Sequence, residues 1–134
     1  MADSIINRAL EAVIGLMNAL EPFAAVTRGA LPIGRGITCE ISPSGDEAVF
    51  LDKRTYTPIS LTINGKHESL DVLGDTLNNI HHALTRMTAY PEGEGFQIVD
   101  ITNETLPQLI GREENNLWLM ASSLTVKIYV KGSD

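Results

Sequence analysis

The chain is poor in several residue types on which specialised classes of protein depend. Its 134 residues include one cysteine and 5% aromatic residues, and Lys plus Arg number 10 against 17 Asp plus Glu. A lone cysteine, Cys39, forms no internal disulfide, which excludes the small secreted disulfide scaffolds. The formal net charge of −7 disfavours contact with phosphates, so we expect no sequence-specific binding of nucleic acid.

Long apolar runs are also missing. No stretch approaches the roughly 18 apolar residues of a membrane-spanning helix, which predicts no membrane partner. The start of the chain is acidic at Asp3, and Glu11 interrupts the apolar stretch that follows, so it is a poor signal peptide. From these two features we expect a protein made in the cytoplasm. The length and the 43% hydrophobic content predict a single domain over residues 1–134.

Hydrophobic periodicity predicts two helices. The first covers about 3–21, with apolar residues spaced by three or four from Ile6 to Leu20. The second covers about 69–89, with Ser69 as its cap and an apolar stripe on one face. Members of that stripe are Leu70, Leu73, Leu77, Ile80, Leu84 and Met87.

Strands are predicted in two groups, about 36–64 and about 95–131. The first group comprises 37–41, a turn at 43–46, a short strand at 47–52, and a strand from residue 57 that ends in a tight turn at Asn64-Gly65. Pro58 favours an edge position or a bulge near the start of that strand. The second group comprises 96–101 and 117–131, joined by a polar connection at 103–116.

This order of elements predicts an α+β fold, in which a mostly antiparallel, mixed sheet carries both amphipathic helices on one face. The final strand is long for such a domain, since 15 residues at about 3.3 Å each would extend roughly 50 Å. We therefore expect it either to break at Ala121-Ser122-Ser123 or to form a projecting hairpin that pairs with another subunit.

The sequence gives little evidence for a metal-binding site or a nucleophilic cysteine. Adjacent helical residues such as His81 and His82 point in different directions and cannot chelate one ion. The histidines, His67 included, are expected at the solvent border of the apolar stripe. Cys39 lies in phase with Ile37 and Ile41, so we expect a small core residue and no nucleophile.

Other catalytic patterns are equally weak. The sequence contains no Gly-x-Ser-x-Gly elbow, and the glycines Gly34 and Gly36 lead into a strand where a dinucleotide site needs a helix. The carboxylate pairs at 92/94 and 113/114 lie in polar connections, where we expect solvated charges. The sequence thus predicts no catalytic, cofactor-binding or metal-binding residue and no enzyme.

Charge is distributed unevenly along the second half of the chain. No Lys or Arg occurs between Arg86 and Arg112, whereas that interval contains four acidic residues. Lys127 and Lys131 lie on the outward phase of the final strand. Contact between an acidic patch and a basic patch of neighbouring subunits would suit a ring, although ordinary surface variation accounts for the pattern equally well.

Three segments resemble the small minor capsid proteins of siphophages and prophages of Gram-positive bacteria. They are Asn64-Gly65-Lys66, the stretch from Leu77 to Tyr90-Pro91, and Ile110-Gly111-Arg112-Glu113-Glu114-Asn115-Asn116 leading to Trp118. The order of elements is also similar to that of phage tail terminator proteins. The resemblance covers about half of the chain well and the N-terminal half only in outline.

The resemblance implies a non-enzymatic virion protein at the head–tail junction, either a tail terminator or a head–tail completion protein. Such proteins form homo-oligomeric rings that contact the tail tube and the head–tail connector, and DNA passes through the ring. Carried onto this chain, the implied assembly interface is Arg112, Glu113, Glu114 and Trp118, with a core position as the alternative for Trp118. The alternative function is a small α+β ligand-binding or accessory domain of bacterial metabolism, which would need a deep apolar pocket.

Overall fold

The computed structural model describes residues 2–42 and 56–130, with side chains from residue 5 onward. In chain order the elements are α1 (Ala2–Asn18), β1 (Val26–Thr27), β2 (Gly36–Ile41), β3 (Tyr56–His67), α2 (Leu70–Leu84), β4 (Glu92–Gly93), β5 (Phe96–Arg112) and β6 (Trp118–Val130). The predicted turn at 43–46 and the predicted strand at 47–52 lie outside the described residues.

The described strands form one curled sheet in the order β1-β2-β3-β6-β5-β4. β1 runs parallel to β2 and every other pair is antiparallel, so the sheet is mixed, as the sequence predicts. The α+β class is confirmed. Pro58 pairs with Lys127 of β6, and the residues that precede β3 lie outside the described part of the chain.

Both helices cover the same face of the sheet. α1 packs its apolar side against Ile59 and Leu61 of β3 and Val126 of β6. α2 brings Leu73 and Leu77 against Gly65, which has the same phase in β3 as Ile59 and Leu61. The fully buried Cys39 belongs to the core between these layers, as predicted.

The helices end earlier than their apolar patterns predict. α1 ends at Asn18, whose side-chain amide donates to the Val26 carbonyl and whose oxygen accepts from the Val26 N–H, fixing the chain reversal. α2 begins as predicted, because the Ser69 hydroxyl accepts from the Val72 N–H. It ends at Leu84, where the Tyr90 hydroxyl donates to the Leu84 carbonyl.

The prediction of a tight turn at Asn64-Gly65 is wrong. β3 continues to His67, and Gly65 pairs with Ile37 on one side and Met120 on the other. A Cβ on Gly65 would lie 2.8 Å from a methyl carbon of Leu73. The glycine therefore serves the close approach of α2 to the sheet and not a turn.

The polar connection predicted at 103–116 is also wrong. β5 runs without interruption to Arg112 and contains four shifts of register against β6. Each shift breaks the two-residue alternation, and most side chains beyond Ile101 remain exposed, so the sequence pattern of a strand is lost.

β6 neither breaks nor projects. It is continuous from Trp118 to Val130, and Ser122 and Ser123 pair with β3 on one side while Ser123 pairs with β5 on the other. Leu117 and Met120 are buried within their own subunit. The hypothesis of a projecting hairpin that recruits another subunit is therefore wrong.

Candidate functional site

The segment that carries the strongest resemblance closes the long β5–β6 hairpin. Residues 113–117 form its end, where the Glu113 N–H donates to the Leu117 carbonyl at 2.8 Å and the Asn116 N–H donates to the Glu113 carbonyl at 2.9 Å. Asn116 has a φ of 69°, a conformation that asparagine tolerates better than most residues. Local hydrogen bonds thus define the shape of this end.

Arg112 and Trp118 face each other across the two strands at the base of the hairpin end. They are register partners, and the guanidinium carbon of Arg112 lies 4.8 Å from the centre of the Trp118 ring. This is a cation–π contact, worth about 0.5–1 kcal/mol at an exposed site. Trp118 is partly buried and packs against the core, and its ring also contacts Arg112 of the same subunit.

Glu113 is held by a residue that sequence reasoning missed. The Lys66 ammonium, only 7% exposed, lies 3.3 and 3.4 Å from the two carboxylate oxygens of Glu113 and donates to the Ile33 carbonyl at 3.4 Å. Glu113 is thus ion-paired although its side chain is 38% exposed, and Glu114 is exposed, as expected. No pattern in the neighbouring sequence predicts the role of Lys66, because its partners, Ile33 and Glu113, lie far from it along the chain.

The structure brings the four predicted interface residues together at one end of the sheet. Arg112 and Glu113 each engage a partner inside the subunit, while Glu114, Asn115 and Asn116 are exposed at the tip. The arrangement is a braced hairpin end that presents polar side chains outward.

The expected position of the histidines at the solvent border is wrong for two of the three. His81 is buried between Asn103 of β5, whose Oδ1 lies 2.7 Å from Nδ1, and Ser122 of β6, whose hydroxyl lies 2.8 Å from Nε2. These partners fit a neutral ring that donates from Nδ1 and accepts at Nε2. Burial lowers the pKa of His81, and the Asn103 hydrogen bond opposes that shift.

His67 is the second buried histidine. Its Nδ1 accepts a hydrogen bond from the Ser69 N–H at 2.8 Å, and its ring meets Phe23 edge-on. His67 therefore fixes the connection between β3 and α2. His82 is exposed, as expected.

Cys39 has the properties of a core residue. It is fully buried, and burial raises the pKa of its thiol to about 12. A thiol in that state is a poor nucleophile at neutral pH. Across residues 2–42 and 56–130, no group of three or more His, Cys, Asp and Glu side chains is placed to hold a metal ion.

Two open clefts border α2. One, of about 280 Å³, lies between α2 and β5 and is lined by Asn78, His81, His82, Thr85, Arg86, Asn103 and Leu106. The other, also about 280 Å³, lies beside the end of α1 near Phe23 and Asp75. Polar and apolar groups are mixed in both, whereas the apolar space beneath α1, near Leu10, leaves no room for a molecule.

One acidic and one basic residue suggested for a contact between subunits lie on neighbouring strands of the same subunit. Asp100 and Lys127 are register partners of β5 and β6, and Lys127 also lies over the ring of Tyr56. Cross-strand neighbours of opposite charge attract each other on the sheet surface. Lys131 lies outside the described residues.

Comparison with protein-family models and with curated proteins found no match to this chain. Among the described helices, none is long and apolar enough to cross a membrane.

Proposed function

We propose that the chain is a non-enzymatic phage virion assembly protein, a tail terminator or head–tail completion protein that forms a ring at the head-proximal end of the tail. The proposal starts from the resemblance of residues 63–131 to minor capsid proteins. The observation that carries it is the braced hairpin end at Arg112–Trp118. This segment holds the most specific part of the resemblance and directs exposed polar residues away from the core.

The bracing supports a role in contact with another protein. Lys66 and Trp118 contact Glu113 and Arg112, and the backbone of residues 113–117 is hydrogen-bonded, so fewer groups of the hairpin end must become ordered when a partner binds. Ordering a mobile side chain costs about 0.5–1.5 kcal/mol on association, and a braced loop reduces that cost.

The decisive experiment is electron microscopy of lysates from a lysogenic host whose copy of this reading frame carries an early stop codon. DNA-filled heads separated from tails of uncontrolled length would support the terminator role. Filled heads with absent or normal-length tails would instead support head–tail completion. Intact, infectious particles would overturn the virion proposal and return attention to a ligand-binding domain, with the two clefts beside α2 as the places to search.

A further inference from the structure

The exposed side of α2 carries a stripe of polar residues with opposite charges at its two ends. Its members are spaced mostly by three or four, and all are exposed; they are Asp71, Asp75, Asn78, Asn79 and His82 of α2, and Arg86, two residues beyond the end of the helix. Among the described residues, no hydrogen bond or ion pair engages these six side chains. The stripe is acidic in its first half and basic, through Arg86 and the ionisable His82, in its second.

The α2 stripe is complementary to itself in one orientation. In this orientation a second α2 lies antiparallel to the first, and the midpoint of the contact falls between Asn78 and Asn79. Asp71 of one copy then faces Arg86 of the other, Asp75 faces His82, and Asn78 faces Asn79. Each of these contacts occurs twice about the symmetry axis. A parallel arrangement would place Asp71 on Asp71 and Arg86 on Arg86, which opposes association. The helix dipole favours acids at the start of α2, but it does not require all six residues to share one stripe.

An apolar strip on β5 lies alongside the α2 stripe. Leu106 and Leu109 are 57% and 50% exposed, and they are two of the seven large hydrophobic side chains that are exposed among the described residues. Leu106 lines the cleft beside His82 and Arg86. Leu109 pairs with Met120, whose sulfur lies about 4 Å from the position a Cβ on Gly74 would take.

β5 therefore runs antiparallel to α2, with Leu106 beside the second half of the helix and Leu109 beside the first half. The twofold axis that pairs opposite charges of the two α2 stripes also places Leu106 of one copy level with Leu109 of the other. A clustered apolar strip of this kind is typical of an interaction surface. Charge and apolar patterns thus favour the same arrangement.

We propose that a second copy of this chain docks on the face formed by the α2 stripe and the β5 strip, about a twofold axis that passes between Asn78 and Asn79. The contact is isologous, whereas neighbours in a ring make head-to-tail contacts. It is therefore a separate surface, and it does not rest on the function proposed above.

Charge exchange tests the arrangement. Sedimentation of the purified full chain at up to about 1 mM, in low salt, detects even weak self-association. We expect Arg86→Asp, which places two aspartates opposite each other on both sides of the axis, to weaken the dimer by about tenfold. The double exchange Asp71→Arg with Arg86→Asp restores opposite charges and should return the dissociation constant to within about threefold of the original.

Lys127→Asp is the matched control, because it makes the same change in net charge on the opposite face of the sheet and should leave the dimer intact. Circular dichroism establishes that each variant keeps its helices. A chain that remains monomeric throughout would overturn the proposal. An unchanged dissociation constant in Arg86→Asp would overturn it as well. So would a double exchange that fails to restore the original dissociation constant.

Cross-linking tests the orientation independently of charge. Asn78→Cys lies beside the axis and should give a disulfide-linked dimer on mild oxidation, since the native Cys39 is buried. Asp71→Cys should not, because the two copies of residue 71 lie about 22 Å apart along antiparallel helices. Efficient linkage through residue 71, or its absence through residue 78, would contradict the antiparallel arrangement.

Discussion

Lys66 and Glu113 join the end of strand β3 to the end of the β5–β6 hairpin, with the ammonium nitrogen 3.3 and 3.4 Å from the two carboxylate oxygens. The lysine is buried and the glutamate is partly exposed. Removal of the lysine leaves Glu113 without its cation and the Ile33 carbonyl without that donor. The pair therefore connects the stability of the fold with the shape of the candidate assembly site.

Lys66→Met should lower the free energy of unfolding by about 1–2 kcal/mol, because hydrogen bonds to charged groups are lost while the apolar stem remains. Urea denaturation measures the loss, and hydrogen exchange should show faster opening at the hairpin end. Glu114→Gln is the control, since Glu114 is exposed. Equal losses in both variants would contradict a specific role for Lys66.

Arg112→Glu should impair ring formation without unfolding the subunit. The guanidinium is exposed and contacts Trp118 through a contact worth only about 0.5–1 kcal/mol, so the change mainly alters the charge that the hairpin end presents. Particle mass by light scattering, together with circular dichroism of the subunit, separates the two effects. Normal assembly of the folded variant would reject this segment as the assembly interface.

His81 should make the fold less stable as the pH falls. Burial lowers its pKa in the folded state, so below about pH 6.5 the unfolded chain takes up a proton that the folded chain resists. The contribution of His81 to the free energy of unfolding is therefore complete above the pKa of the unfolded state. It is lost as the pH falls towards the pKa of the folded state. Urea denaturation between pH 7.5 and pH 5.5 measures the effect.

The neighbours of the His81 ring are neutral, Asn103 from β5 and Ser122 from β6, so neither offers a charge to an imidazolium. His81→Gln should be less stable at pH 7.5 but should lose less further stability on acidification. His82→Gln, at an exposed position, is the control and should retain the original pH dependence. An unchanged dependence in His81→Gln would assign the effect to other groups.

Gly65→Ala should destabilise the fold by about 1–3 kcal/mol. The new Cβ would lie 2.8 Å from Leu73, so α2 must shift away from the sheet or the leucine must leave its rotamer. Gly111→Ala is the matched control within a strand, because the space around Gly111 is open. Thermal denaturation of the two variants should differ clearly; similar melting temperatures would contradict the packing argument.

Cys39 should react with a thiol reagent only when the core opens. Its burial raises the thiol pKa to about 12, and the side chain belongs to the hydrophobic core. At pH 8 the native chain should resist labelling by a disulfide reagent, whereas the chain in urea should react completely. Rapid labelling of the native chain would place Cys39 outside the core.

Periodic segments of the sequence were sufficient for the α+β class, for the start of α2 at Ser69, and for the burial of Cys39. Each depends on residues a few positions apart, which repeat at 3.6 or 2 per period and meet a core on one side. The second half of β5 was not predicted, because its register shifts and exposed side chains remove that repeat.

Only the tertiary structure determined which polar residues are buried. Lys66 meets Glu113 at a separation of 47 positions, and His81 meets Ser122 at a separation of 41. Each contact joins segments that come together only in the folded chain, and no local pattern encodes that convergence. The sequence by itself determined the periodic elements. Folding decided how the hairpin end is braced, since a buried polar group is stable only where a distant partner satisfies it.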